Sequence, residues 1–186
     1  MLAIIAIAAG LWTYLKTPSQ QAGSTSGVAS VGGPFTLVDQ RGNVVTDQSF
    51  RGRWMLVFFG FTHCPDICPT ALNDMSMTLQ ELGAAADKVQ PIFITVDPER
   101  DTVQAMADYV ANFDPRIVAL TGTPEQVADA AKAYRVYYKK VPQGDDYTMD
   151  HTGILYVMDP QGRFMTHFTP NTPPADMAAR IRKLIG

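Results

Sequence analysis

Residues 54–70 read WMLVFFGFTHCPDICPT, an apolar run that passes directly into two cysteines set among prolines. Trp54 to Phe61 carries no charge and does not alternate, which suits a strand buried on both faces. Pro69 falls where a helix would have its first turn, so a helix is expected to open just after the strand. Cys64 and Cys68 therefore sit at a strand-to-helix junction, the end of an open α/β sheet at which ligands bind. Cys68 is placed at about the N-cap, where free backbone N–H groups and the helix dipole stabilise a thiolate.

Working outward, Phe35–Val38 and Val44–Val45 flank a turn at Gly42 and read as an N-terminal hairpin. Downstream, Pro91–Val96 is a second buried strand that ends at Asp97-Pro98. Val103–Phe113 reads as a helix, Ile117–Leu120 as a short strand and Pro124–Tyr134 as a helix. The polar stretch from Lys139 to Asp150 is expected to be an exposed loop or a small hairpin. Ile154–Met158 and Arg163–Phe168 pair around Asp159-Pro-Gln-Gly162, and Pro174–Ile185 closes the chain as an amphipathic helix. Strand and helix alternate in the middle and a hairpin comes late, which predicts a mixed α/β sheet covered by helices on both faces.

The chain has 186 residues, is 46% hydrophobic and carries a formal net charge of −3. That is room for one domain and a tail, and the acidic balance argues against a nucleic-acid partner. Two cysteines are too few for a disulfide-dense scaffold or a four-thiolate zinc site. Residues 1–15, MLAIIAIAAGLWTYL, are uncharged and read as an N-terminal membrane anchor, with Trp12 and Tyr14 at an interfacial belt. As a helix they cover roughly 22 Å, short of the about 30 Å of a bilayer core. A cleaved signal is the alternative, disfavoured because no basic region precedes the apolar segment. Residues 16–33 form a Gly/Ser/Thr/Ala linker, and 34–186 form the globular body. Lys16, just beyond the anchor, runs against the positive-inside rule if the body lies outside the cytoplasm.

Cysteine is otherwise absent, so a pair four apart at such a junction points to chemistry rather than packing. The pair can close as a disulfide or hold a metal through both sulfurs. With one imidazole added it suits Cu(I) in a trigonal site, and with a further ligand Cu(II). Three histidines are available. His63 adjoins Cys64, and adjacent side chains diverge, so it serves better to tune a thiolate than to ligate. His167 lies in an alternating strand and reads as structural. His151, before the strand at Ile154, reaches the cysteines only if the fold brings it there. Asp150 either orients that imidazole or faces solvent, Asp101 or Thr102 caps a helix, and Asp97 lies on the same rim. The methionines at 75, 77, 106 and 149 are scattered as core filling would be.

The body resembles the Sco/SenC family of copper-binding proteins, of bacterial type, which assist assembly of the CuA centre of cytochrome c oxidase. The resemblance runs through Cys64-Pro-Asp-Ile-Cys68-Pro, Thr95-Val-Asp-Pro-Glu-Arg-Asp-Thr102 and Asp150-His151-Thr152. It implies a thioredoxin-like fold and copper ligation by Cys64, Cys68 and His151. It also implies a copper-accepting oxidase subunit and a copper-donor chaperone as partners. The location implied is the inner membrane, with the body in the periplasm. At the position where thioredoxins carry a cis-proline this sequence has His151, which favours metal binding. The chain is then a metallochaperone rather than an enzyme. A thiol–disulfide reductase that keeps an oxidase subunit's cysteines reduced is the alternative, needing Cys64 and Cys68 but not His151. A peroxidase using Thr62 and Arg100 ranks behind both.

Overall fold

The apolar run is buried as its pattern predicts. In the computed structural model, which describes residues 31–186, Met55 to Phe59 lie in the interior of a seven-stranded sheet. The expected anchor, 1–15, and the linker up to residue 30 lie outside the described residues. Among the described residues no helix is long and apolar enough to cross a membrane. The chain is tied to the body from Gly32, whose N–H donates to the Ala133 carbonyl at 2.9 Å.

The strands are β1 (Thr36–Asp39), β2 (Val44–Thr46), β3 (Trp54–Gly60), β4 (Val89–Thr95) and β5 (Val118–Thr121). They continue with β6 (Tyr138–Gln143), β7 (Asp146–His151), β8 (Leu155–Met158) and β9 (Phe164–Phe168). The helices are α1 (Ile67–Leu82), α2 (Val103–Val110), α3 (Pro124–Tyr134) and α4 (Pro174–Ile185). The large sheet has the order β2-β1-β5-β4-β3-β8-β9. Its centre, β3, β4 and β5, is parallel, and the remaining pairings are antiparallel. This is the expected mixed sheet with an N-terminal hairpin, β1–β2, carried on β5.

Successive side chains of a strand point to opposite faces, so the adjacent phenylalanines of β3 serve two layers. Phe58 stacks with Phe93 of β4 at 6.2 Å, and Phe93 meets Tyr109 of α2 at 5.7 Å. Phe59, on the other face, meets Tyr134 of α3 at 5.3 Å. Helices α1 and α4 pack on one another, α1 sharing the Phe58 face. Both phenylalanines are fully buried, and each such ring contributes about 1.5–3 kcal/mol relative to exposure.

The stretch from Lys139 to Asp150 forms a hairpin rather than a loop. Among the described residues, strands β6 and β7 pair only with each other, from Tyr138↔His151 to Gln143↔Asp146. Their turn is two residues long, and Gly144, first in the turn, has φ of 61°, as a primed turn demands. Both outer edges lack strand partners among the described residues, and Pro142, Lys139 and Lys140 are residues that discourage further pairing.

Candidate metal centre

Strand β3 stops at Gly60, in register with Thr95 of β4, and the Val96 N–H donates to the Gly60 carbonyl at 2.8 Å. The missing side chain at Gly60 leaves room for a sulfur. A Cβ there would lie 2.7 Å from Cys68 Sγ and 2.8 Å from the Phe58 ring. Cys68 consequently lies with no exposed surface at the head of α1, while Cys64 is half-buried in the loop above it. The N-cap is Asp66, not Cys68 as the sequence suggested. Ile67 opens the helix, and Cys68 falls inside the first turn, where amides still lack helical acceptors. The Cys68 N–H points at Cys64 Sγ, 3.4 Å away, so a helix-terminal donor serves the first sulfur.

The third residue arrives from the separate hairpin. His151 ends β7, and its Nε2 lies 3.6 Å from Cys68 Sγ. Its Nδ1 lies 3.1 Å from the Thr152 carbonyl, which can only accept. The Nδ1 proton is committed to that bond, which leaves Nε2 directed at the sulfurs, where it would be the metal donor. Phe58 and Phe61 meet the imidazole edge-on at 6.1 and 5.7 Å and hold its plane. One ligand atom from each of Cys64, Cys68 and His151 lies within 4.8 Å of the others. Small side-chain rotations can converge three such donors on one soft ion.

The other candidates stay apart from this cluster. His63 is exposed, with Nδ1 3.0 Å from the Thr62 hydroxyl, and His167 is exposed on the edge strand β9, stacked on Phe164. Asp150 is exposed, and the Thr152 carbonyl takes the orienting role considered for it. Met106 and Met149 are core residues, as are Met75 and Met55, while Met77 is exposed.

The two thiols share one proton unequally. Cys64 is held down at about 3, first by the hydrogen bond from the Cys68 thiol, then against burial by His151 and the amides of Asp66 and Cys68. The same bond to Cys64, with burial added, pushes the Cys68 thiol up. The reduced pair is thus an accessible thiolate over a buried thiol. A lowered thiol pKa keeps the nucleophile ionised as pH falls. Iodoacetamide is expected to modify Cys64 of the reduced, metal-free chain at nearly the same rate from about pH 8 to about pH 5. An unperturbed thiol, titrating near 8.5, would slow about tenfold per pH unit over that range. Rates read by mass spectrometry decide between them, and a steep fall would show Cys64 to be an ordinary thiol.

The two acids expected at the helix cap and on the rim are both buried. Thr102 alone caps α2, accepting from the Ala105 N–H at 3.2 Å. Asp101 instead turns fully inward beneath the cysteine loop. It accepts from the Thr62 N–H at 3.1 Å, the Thr62 hydroxyl at 2.6 Å and the Thr95 hydroxyl at 2.5 Å. Burial raises its pKa against the pull of those donors. Asp97 is also buried and accepts from the Tyr147 hydroxyl at 2.9 Å and from Arg100 Nε at 2.6 Å.

A profile of the SCO1/SenC family matches residues 23–186. The chain belongs to the SCO1/SenC family. Protein sco1 of Schizosaccharomyces pombe is 41% identical over 194 residues, covering 97% of this chain and 74% of that protein. ScoI of Bradyrhizobium japonicum, whose structure was solved with copper bound, is 50% identical. It superposes with a TM-score of 0.78 over 83% of this chain and 99% of its own. A further SCO1/SenC structure, BsSco, is described as having a disulfide switch and as one of the Sco family of cytochrome c oxidase assembly proteins. It is 28% identical, with a TM-score of 0.67, over 83% of this chain and 92% of that one. The fold shared with these members is the thioredoxin-like one anticipated for the body.

Proposed function

We propose that this chain is a copper metallochaperone that delivers copper to, or prepares, the CuA site of cytochrome c oxidase. The observation that carries the reading is the convergence of Cys64, Cys68 and His151 within 4.8 Å. Two thiolates and an imidazole are soft and intermediate donors that select copper over hard cations. Cys64 and His151 are half-exposed, so a copper-accepting subunit can approach the ion and take it by ligand exchange. A copper-donor chaperone would load the site through the same opening. The apolar segment 1–15 anchors the chain in the inner membrane, and residues 16–33 let the body reach its partner on the periplasmic side.

A second reading rests on the accessible Cys64 thiolate. It can attack a disulfide of a client, after which Cys68 resolves the mixed disulfide and leaves Cys64–Cys68 oxidised and the client reduced. Copper cannot bind that oxidised form, so the two activities would be successive steps at one pair. A Cu(I) titration of the reduced chain against a chromophoric chelator tests the first reading. One tightly held equivalent is expected, and His151→Ala is expected to weaken it by at least about tenfold, the scale on which even outer-shell partners act. Disulfide reduction by His151→Ala should be retained. Failure of the wild-type chain to compete with the chelator would leave thiol–disulfide exchange as the primary activity.

A further inference from the structure

Granting the copper reading, His151 has to be delivered to the cysteines by a hairpin that shares no strand pairing with the main sheet. What fixes that hairpin in place is therefore part of the metal centre. Two bonds close its base, from the Thr152 N–H to the Tyr137 carbonyl at 2.9 Å and from the Tyr137 N–H to the Thr152 hydroxyl at 3.1 Å. Met149 gives it one buried apolar foothold.

A further grip is made by the segment that follows β4. The Arg100 guanidinium lies over the Tyr147 ring, 3.7 Å from its centre, and Lys140 Nζ lies 3.8 Å from the same centre. Arg100 also donates from Nη1 to the Tyr147 carbonyl at 3.0 Å and to Asp146 at 3.3 Å, while its Nε donates to Asp97. The Tyr147 hydroxyl reaches the same Asp97 carboxylate, and Lys140 pairs with Glu99 at 2.6 Å. Arg100 thus uses a planar fork, a ring stack and a buried counter-charge together, which lysine could not reproduce. The stack continues toward the site. Arg100 lies 6.0 Å from the Phe61 ring, and Phe61 is the ring that meets His151 at 5.7 Å.

We propose that Tyr147, clamped by Arg100 on Asp97, is the positioning residue that holds His151 against the cysteines and so sets the imidazole's share of copper affinity. A residue acting only through His151 has a distinctive signature. Tyr147→Leu, which removes both the stack and the hydroxyl, should lower Cu(I) affinity by a factor close to that of His151→Ala. In a chain already carrying His151→Ala it should cause no further loss. Tyr147→Phe keeps the ring against its two cations and should restore most of the affinity.

The metal-free chain provides a readout independent of copper. Amide hydrogen exchange in Tyr147→Leu should accelerate over 138–151 by tenfold or more and stay at wild-type rates in β3, β4 and α1. Equal affinity losses with and without His151, or unchanged exchange over 138–151, would overturn the positioning role. If the wild-type chain bound no Cu(I), the copper reading would fall, and the exchange measurement alone would still decide whether the clamp holds the hairpin.

Discussion

Cys68→Ser is expected to lower Cu(I) affinity by more than about 100-fold and also to destabilise the metal-free fold by roughly 1–3 kcal/mol. Cys64→Ser should match it in copper affinity and leave stability nearly unchanged. The affinity argument is common to both positions. Each substitution exchanges a soft ligand for a hard, neutral hydroxyl, a larger loss than removing an outer-shell partner. The stability argument separates them. Cys68 has no exposed surface, and its sulfur fills the space that Gly60 leaves open, where a smaller serine hydroxyl would be buried with poorer packing and desolvated. Cys64 is only half-buried, and a hydroxyl there keeps its access to solvent and to the Cys68 N–H. Denaturant melts of the two variants beside a chelator competition give both numbers. Equal stabilities would show that the pocket behind Gly60 tolerates a polar atom, against the packing described.

The parts of this fold that were legible in the sequence are those written in contiguous patterns. An unbroken apolar strand, a hairpin with glycine in its turn and a proline in the first helical turn each act over a few residues. They placed β3, the β1–β2 hairpin and the cysteine junction without knowledge of the rest. The cysteine pair was equally plain, since its four-residue spacing at a strand end needs no tertiary information. His151 was different. Its distance of 83 positions from Cys68 is closed only by the docking of the β6–β7 hairpin, and spacing alone could not select it. The resemblance to a family chose it, and the geometry then put Nε2 beside the sulfur.

Two features of the site left no local trace. Asp101 and Thr102 are adjacent capping residues before a helix, and either could have filled that role. Thr102 took it, which freed Asp101 to serve donors on two other segments, Thr62 and Thr95. Tyr147 lies 50 positions from Asp97 and reads as an ordinary strand aromatic until the hairpin is docked. Side chains of this kind answer to tertiary neighbours, and periodicity carries no information about them. The helix cap lies two residues before the position its pattern suggests, for a related reason. Asp66 makes no side-chain capping bond, so the helix start is fixed by its prolines and by the Cys64 sulfur at the Cys68 N–H rather than by a capping side chain.

Asp101→Ala is expected to be the most destabilising single change near the site, at roughly 3–5 kcal/mol, because it strands several buried donors at once. The carboxylate is the acceptor for the Thr62 amide and for the hydroxyls of Thr62 and Thr95, and neither Asp101 nor Thr95 has exposed surface. Asp101→Asn should cost less, since one oxygen still accepts and a threonine hydroxyl can turn to receive the new amide donor. The pH dependence gives a second handle. Burial raises the folded pKa of Asp101 above the ordinary 3.8. Between those two values the native state holds a proton that the unfolded chain has released, so this group's contribution to stability falls as pH rises through that window. Both variants lack the titrating group and should lose that part of the slope, although one is much less stable than the other. Thermal melts of the three proteins across the acid range separate the two effects. A slope unchanged in Asp101→Asn would mean that the carboxyl titrates as it does in the unfolded chain. The consequence for the site follows from the chain path, because Thr62 stands two residues before Cys64. Freed from Asp101, the loop would let Cys64 drift from the Cys68 N–H, and copper affinity should fall in Asp101→Ala by more than in Asp101→Asn.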